Sequence, residues 1–333
     1  MSIIALVGLS VFSLISLEPD IFPNYIIFLI SGLILYVVFS KIDFSIYRAY
    51  AKHFYVASII LLAVPLIIGQ VTRGAVRWIP LGEVSVQPSE LVRPFLVLFM
   101  ADYMRRKFTI RNIHKLIVLV FIPIFLILIQ PSLGVAILTF VSFLGVALAS
   151  SLSKKQIFIL SATLLAFVPI IWLVLAPYQK LRVTSFLDPS VDPLGAGYNS
   201  IQSMISVGSG GLLGHGISEG VQTQLHFLPE KHTDFIFAAI SEEMGFVGVA
   251  LVLGFLFLIL VRLIRTMERP KNVQARMYVS GIFLVILTQV VFNVGMNMGL
   301  FPISGIPLPL VSAGGSSFVA TMVSLGIVNQ AKR

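Results

Sequence analysis

Apolar runs close to 20 residues recur along the whole of this 333-residue chain. Each is about the length of helix that crosses a hydrocarbon layer of roughly 30 Å. Composition agrees, since 57% of the residues are apolar, only 11% are charged and the mean hydropathy is +1.00. A soluble fold of this size needs far more charge to cover its surface. The expected fold is therefore all-α: a polytopic membrane protein with about ten transmembrane helices. The spans are expected near residues 3–17, 21–40, 54–70, 91–103, 116–129, 133–150, 156–176, 234–261, 275–298 and 310–328. No Lys or Arg precedes Lys41, so the first span lacks a signal-peptide n-region and reads as a retained helix. Residues 1–333 are expected to form one transmembrane domain, with residues 177–233 as a large extracytoplasmic loop between helices 7 and 8.

Charge orients the chain. With both termini inside, 17 of the 23 Lys and Arg residues face the cytoplasm beside only Asp43, Asp102 and Glu268, which leaves +14 inside and −5 outside. That asymmetry is what the positive-inside rule requires. The net charge of +9 comes without a long basic run, so nucleic acid is not an expected partner. Cysteine is absent, which excludes disulfides, cysteine-ligated zinc, iron–sulfur clusters and thiol catalysis. HExxH and GxSxG are absent too, and the hydrolases that use them are excluded.

Six basic residues oppose the inward bias: Arg73, Arg77, Arg93, Lys180, Arg182 and Lys231. All flank the two longer outer loops, near Trp78 and Tyr178. Guanidinium groups at that depth suit a phosphate or pyrophosphate carried on a lipid, because Arg binds phosphate through two parallel hydrogen bonds. Helix anchoring by snorkelling is the alternative for any one of them. Within the long loop Ile201, Met204 and Ile205 fall at helical spacing, as in a short helix lying at the membrane interface.

The densest polar stretch runs from Leu228 to Phe235, followed by Glu242 and Glu243 inside an apolar run. If the eighth helix begins near Thr233, Asp234 and Glu242 share a face about 12 Å apart. Carboxylates within a span should then face a wet cavity. Asp234, within reach of Lys231 and His232, is placed to act as a general base on a hydroxyl nucleophile. The alternative is a helix cap, which would hold the carboxylate ionised and make placement matter more than basicity. The glycine-dense run Gly208 to Gly216 could bring backbone N–H groups to a phosphate, or could be a flexible turn, and it lacks the Lys and spacing of a P-loop. Gly295 and Gly299 read as a close helix-packing contact. The spacing of His215, His226 and His232 is a poor zinc template. An outer-face enzyme has no ATP, so a group transfer there needs a donor activated beforehand. A lipid-linked diphosphate, a base and a cationic grip on the diphosphate would suffice.

Laid out in order, the motifs carry a resemblance. They are Gly74-Ala75-Val76-Arg77-Trp78-Ile79, Gln87-Pro88-Ser89-Glu90-Leu91, Asp192 to Tyr198, Ile201-Gln202-Ser203, Gly208 to Gly216 and Gln222-Thr223-Gln224-Leu225. Phe227 to Glu230, His232 to Ala238, Glu242-Glu243, Gly305 to Leu310 and Gly314 to Ser317 follow. From about residue 70 onward the chain resembles the SEDS family of cell-wall polymerases, which includes RodA, FtsW and SpoVE, and is most similar to RodA. The resemblance implies a peptidoglycan glycosyltransferase that polymerises lipid II, with an undecaprenyl-diphosphate-linked glycan as the growing strand. It implies a place in the bacterial plasma membrane with the active site outside, and pairing with a class B penicillin-binding protein transpeptidase. Asp234 matches the family's catalytic aspartate. Arg77 and Glu230 match positions lining its outer cavity, and Arg73, Gln87, Ser89, Arg93, Lys231, His232 and Glu242 complete the expected substrate-binding set. No cofactor is implied beyond a divalent cation, Mg or Mn, whose ligands the sequence does not identify. Ser132 stands where the family commonly has Asp, Ala313 where it has Tyr, and Arg93 where it often has Lys. A lipid II flippase and a non-enzymatic scaffold that activates a transpeptidase are the rival expectations.

Overall fold

The computed structural model describes residues 2–68, 70–72, 75–82, 84–105, 113–166, 169, 172–173, 175–192 and 195–332. Helices dominate. In chain order they are α1 (Ser2–Leu17), α2 (Phe22–Phe39), α3 (Phe44–Ile68), α4 (Pro88–Leu91), α5 (Arg93–Met104), α6 (Ile113–Ile129) and α7 (Leu133–Leu148). Then come α8 (Lys154–Ala166), α9 (Pro177–Leu187), α10 (Ala196–Ser209), α11 (Val221–Gln224), α12 (Ile236–Glu268), α13 (Val273–Asn297) and α14 (Gly315–Ala331). Among the described residues four helices are long and apolar enough to cross a membrane: Pro19–Phe39, α3, α12 and α13, while α1, α6 and α7 are shorter apolar helices. α3 begins ten residues ahead of its predicted span, because hydropathy marks the hydrocarbon and not the helix end. Its first turns carry Arg48, Lys52 and His53.

One departure from the all-helical expectation lies in the segment expected as the first longer outer loop. Strands β1 (Gln70–Thr72), β2 (Ala75–Leu81) and β3 (Val84–Val86) pair antiparallel in that order, with Gln70 opposite Trp78 and Ile79 opposite Val86. Gly82, at φ +67, starts the tight turn from β2 to β3.

The chain packs as two compact units. The first comprises residues 1–28, 176–261 and 287–318. Here Ser10 Oγ donates to the Val311 carbonyl at 2.7 Å, and Tyr25 meets Phe318 edge-on at 6.2 Å between centroids. The segment expected as a long outer loop belongs to this unit and holds α9, α10 and α11. On α10, Ile201, Met204 and Ile205 are 40–44% exposed, so the predicted apolar face is presented outward.

The second unit comprises residues 29–175, 262–286 and 319–333. Its core is aromatic, with Tyr55 stacked on Phe99 at 4.2 Å and Phe54 on Phe95 at 5.1 Å, joining α3 to α5. A close helix contact of the kind expected at Gly295 and Gly299 occurs instead between α7 and α13. A methyl on Gly145 would lie 2.7 Å from the Ser280 carbonyl and 2.9 Å from Gly281 Cα, and Ser280 Oγ donates to the Gly145 carbonyl at 2.8 Å. Gly295 abuts the Phe301 ring just beyond its own helix, and Gly299, at φ +71, abuts the Met204 sulfur. Neither joins two membrane-spanning helices.

Candidate active site

A break in α12 organises the first unit. At Gly245 the backbone takes φ 62 and ψ −160, leaving carbonyls before the break and N–H groups after it without helical partners. Inside a membrane span such groups must be paired by protein. The glycine run supplies the partners. His215 N donates to the Glu242 carbonyl at 2.9 Å and Gly216 N to the Glu243 carbonyl at 3.2 Å. Gly211 O accepts from Phe246 N at 2.9 Å and Leu212 O from Val247 N at 3.2 Å. Side chains would prevent this approach: a methyl on Gly210 would strike the Ser241 carbonyl, and one on Gly214 the Glu243 carbonyl. The run is thus a splice into a broken helix, and at residues 215 and 216 the N–H groups are already bonded.

The two intramembrane glutamates complete that splice. Glu242, 1% exposed, accepts from Gln222 N at 2.7 Å and Thr223 N at 3.1 Å, at the start of α11. Glu243, 4% exposed, accepts from Ser16 Oγ at 3.1 Å, Ser218 N at 3.2 Å and Gln224 Nε2 at 3.2 Å. Both side chains are buried against loop groups, so the expectation that they face a wet cavity is corrected. Loop N–H and hydroxyl groups offset the cost of desolvating a carboxylate in place of water.

Asp234 lies just ahead of α12. The Phe235 carbonyl accepts from Ala239 N at 3.0 Å, so the helix starts at Ile236 and not near Thr233. The shared helical face expected for Asp234 and Glu242 therefore does not form. The turn before the helix folds on Glu230, whose φ is +52. Its carbonyl accepts from Thr233 N at 3.0 Å and Phe235 N at 3.3 Å, and its carboxylate accepts from Thr233 Oγ1 at 2.9 Å. Three successive carbonyls are held from outside the turn: His232 O by Ala313 N at 2.9 Å, Thr233 O by Ser312 Oγ at 2.7 Å, and Asp234 O by both Asn293 Nδ2 and Asn297 Nδ2 at 3.1 Å. The two asparagines lie one turn apart on α13 and are fully buried. Asn297 Oδ1 also accepts from Ala238 N at 3.2 Å and Ser203 Oγ at 3.1 Å. Below the turn Leu228, Phe235, Ala238 and Ile303 form a buried apolar cluster.

With its backbone pinned, Asp234 presents a partly buried carboxylate beside Gly305. Gly305 sits at φ +65, and a methyl there would lie 3.5 Å from Arg182 Nη1 and 3.8 Å from Asp234 Oδ2. One methyl-sized space is thus bordered by a guanidinium and a carboxylate. The guanidinium of Arg182 lies over the Tyr178 ring at 5.8 Å, which orients it. A carboxylate able to take a proton and a cation able to hold an anion are the two parts that a group transfer from a diphosphate needs.

Of the residues expected from sequence, Glu230, Lys231, His232 and Asp234 share this turn. Lys231 is buried, with Nζ donating to the Thr223 carbonyl at 2.7 Å. Arg77, Gln87, Ser89 and Arg93 belong to the second unit. There Arg77 is partly buried on β2. Gln87 Nε2 donates to Ser89 Oγ and Ser132 Oγ, both at 3.1 Å, and Arg93 pairs with Glu90. Gln87, Ser89 and Arg93 are buried. Arg73 lies outside the described residues. Among the described residues no three His, Cys, Asp or Glu side chains converge as a metal site. Sequence reasoning missed Asn293 and Asn297, although two asparagines four apart in an apolar run were a readable signal. It noted Arg182 as one cation among six, but only the fold puts it beside Asp234. Of the departures from the family pattern, Ala313 contributes through its backbone, which any residue but proline can do, and Ser132 contacts Gln87.

Apolar helices of membrane-spanning length, a broken helix spliced by a glycine loop, and a carboxylate on a clamped turn that borders one methyl-sized space with a guanidinium define a multi-pass helical membrane protein with a candidate transfer site. The chain belongs to the family described as cell cycle protein, that of FtsW, RodA and SpoVE, whose pattern it matches over residues 2–333. It is 41% identical over 301 residues to the peptidoglycan glycosyltransferase MrdB of Escherichia coli strain K12, covering 89% of this chain and 81% of that protein. It is 34% identical over 314 residues to a probable peptidoglycan glycosyltransferase FtsW of Aliivibrio salmonicida, covering 92% and 78%. A chain solved in work on polymerization and crosslinking by a peptidoglycan synthase complex superposes with a TM-score of 0.84 at 31% identity, covering 99% of this chain and 95% of that one. The rod shape determining protein RodA of Thermus thermophilus superposes at 0.74 with 28% identity, covering 99% and 93%. It has also been solved with one aspartate replaced by alanine. Family and helices together make this a multi-pass inner-membrane protein.

Proposed function

We propose that this chain is a peptidoglycan glycosyltransferase that polymerises lipid II on the outer face of the plasma membrane, with Asp234 as its base. The observation that carries the reading is the space over Gly305, bordered by the Asp234 carboxylate and the Arg182 guanidinium. In the reaction an acceptor sugar hydroxyl attacks the anomeric carbon of the donor. A new glycosidic C–O bond forms, the bond from that carbon to the diphosphate breaks, and Asp234 takes the hydroxyl proton as Arg182 holds the departing diphosphate. The lipid-linked strand is the donor and incoming lipid II the acceptor. The names of the curated relatives support the activity. The charge asymmetry supports cytoplasmic termini and an outer site. Likeness to a chain from a peptidoglycan synthase complex supports a class B transpeptidase as partner. Arg77, Gln87, Ser89 and Arg93 are further candidate substrate-binding residues, a reading that the family resemblance supports.

A flippase would need polar groups open to a path through the bilayer, and Glu242 and Glu243, its best candidates, are buried against loop groups. The test is glycan-strand synthesis by the purified chain in lipid nanodiscs supplied with lipid II, with and without chelator. Strands from the wild type and none from Asp234→Asn are expected. Equal synthesis by the variant refutes the assignment, and loss on chelation alone would bring in the divalent cation.

A further inference from the structure

The second unit holds a cavity of about 480 Å³, none of whose residues enters the reaction proposed above. That volume falls in the range of small-molecule sites, roughly 300–1,000 Å³. The end of α7 contributes Leu148, the last turns of α12 contribute Ile264, Met267 and Glu268, and the first turns of α13 contribute Arg276 and Ser280. α12 and α13 are both of membrane-spanning length, so the cavity sits where such helices leave the hydrocarbon. The basic residues of the connection, Arg262, Arg265, Arg269 and Lys271, read this end of the helices as cytoplasmic.

Two helices end at this cavity and one begins there. The C-terminal ends of α7 and α12 carry partial negative charge and Glu268 adds a carboxylate, so part of a ligand has to be cationic. Arg276, one turn into α13, asks for an anion, and its guanidinium fork suits phosphate. Both side chains are exposed, and among the described residues neither makes an ion pair, although they line the same space. The Ser280 hydroxyl donates to the Gly145 carbonyl at 2.8 Å, which leaves it only lone pairs to offer a ligand. Glu268 and Ser280 therefore call for N–H donors, and Arg276 for a phosphate oxygen. A quaternary ammonium has no N–H to give, and a phosphodiester without an amine leaves Glu268 unanswered. Leu148 and Ile264, both exposed, add an apolar wall beside the charges. One class of membrane molecule carries a primary ammonium next to a phosphate on apolar chains: phosphatidylethanolamine.

We infer that this cavity binds the head group of phosphatidylethanolamine, with Arg276 on the phosphate, Glu268 and Ser280 on the ammonium, and the acyl chains against Leu148 and Ile264. The experiment is native mass spectrometry of the full chain, stripped of lipid in detergent and titrated with phosphatidylethanolamine, phosphatidylcholine and phosphatidylglycerol of the same acyl chains. The wild type should hold phosphatidylethanolamine roughly tenfold more tightly than either of the others, the scale of a hydrogen-bonded charge. Glu268→Gln should remove that preference without weakening phosphatidylcholine. Arg276→Gln should weaken phosphatidylethanolamine by roughly tenfold. Arg269→Gln, which removes a neighbouring charge outside the lining, should change neither. A wild type that holds the three lipids equally, or phosphatidylglycerol best, overturns the inference, as does an Arg269→Gln loss equal to that of Arg276→Gln, which would mean diffuse attraction to the connection. Free phosphoethanolamine that displaces the lipid at equal concentration would make the ligand a soluble one and overturn the lipid assignment, and its failure to do so supports it. The comparison of lipids on the wild type needs no variant, so it decides the matter even if a substituted chain does not fold.

Discussion

Replacing Gly245 by alanine tests whether the break in α12 is a built feature. At φ 62 and ψ −160 the residue occupies backbone space open almost only to glycine, and alanine there costs about 1–3 kcal/mol in strain. The added methyl would also strike Gly214 N and lie 2.7 Å from the Leu212 carbonyl, so the glycine loop has to retreat. Retreat stretches the four bonds made by His215 N, Gly216 N, Phe246 N and Val247 N, each worth about 1 kcal/mol net. With all four bonds lost the total is about 5–7 kcal/mol, a large share of the stability of an ordinary domain. The assay is thermal unfolding of the purified protein in one detergent, where a fall on the order of 10 °C is expected. Gly254→Ala, farther along α12, is the internal control: nothing lies within 4 Å of its added methyl, and alanine is the better helix former by about 1 kcal/mol. That variant should melt at or slightly above the wild type. Equal melting of the two variants would refute the splice.

Four further outcomes follow from the same geometry. Gly305→Ala should depress strand synthesis far more than stability, because the methyl fills the space between Arg182 and Asp234 while the backbone strain is only about 1–2 kcal/mol; activity and melting measured on one preparation check it. Asn297→Ala should destabilise by about 3 kcal/mol, since it strips partners from the Asp234 carbonyl, Ala238 N and Ser203 Oγ in a buried setting; denaturant or thermal unfolding reads it. Glu242→Ala should destabilise more than Glu242→Gln, because glutamine keeps one oxygen for Gln222 N or Thr223 N; the same melts compare them. The Lys271 ammonium, 2.6 Å from Asp43, together with Ser45, holds the Asp43 carboxyl well below the usual carboxylate range. Its contribution is present above the unfolded value, about 4, and is lost as pH falls from there through the lower folded value. Both side chains are largely exposed, so the effect is small, and Asp43→Asn should flatten that acid limb of the melting profile.

Much of the site was legible because its chemistry is local in sequence. Glu230, Lys231, His232 and Asp234 are consecutive or nearly so, and a polar cluster at the edge of an apolar run stands out on composition alone. Glu242 and Glu243 stood out equally, and there the inference from chemistry alone went astray. A carboxylate within a span can be satisfied by water or by loop groups, and only three-dimensional proximity to residues 218–224 decides between them. The glycine run was ambiguous for the same reason, because glycine permits close approach without naming what approaches. Arg182 and Glu18, whose Oε2 lies 3.7 Å from Lys231 Nζ, stand 52 and 216 residues from Asp234 in the chain, and no periodicity links such positions.

Sequence alone determined the environment and the class. Apolar runs of about 20 residues with little charge can satisfy their backbone in lipid only as helices, and motifs in family order from residue 70 onward identify what those helices build. Tertiary structure decided which groups meet: α12 starts after Asp234, its break is closed by a loop about 30 residues earlier, and an arginine and a glutamate from distant segments are brought to one turn. The physical reason is range. Hydropathy and helix formation are summed over neighbours along the chain, whereas hydrogen bonds and ion pairs are made over about 3–4 Å of space, and packing alone sets which distant residues come that close.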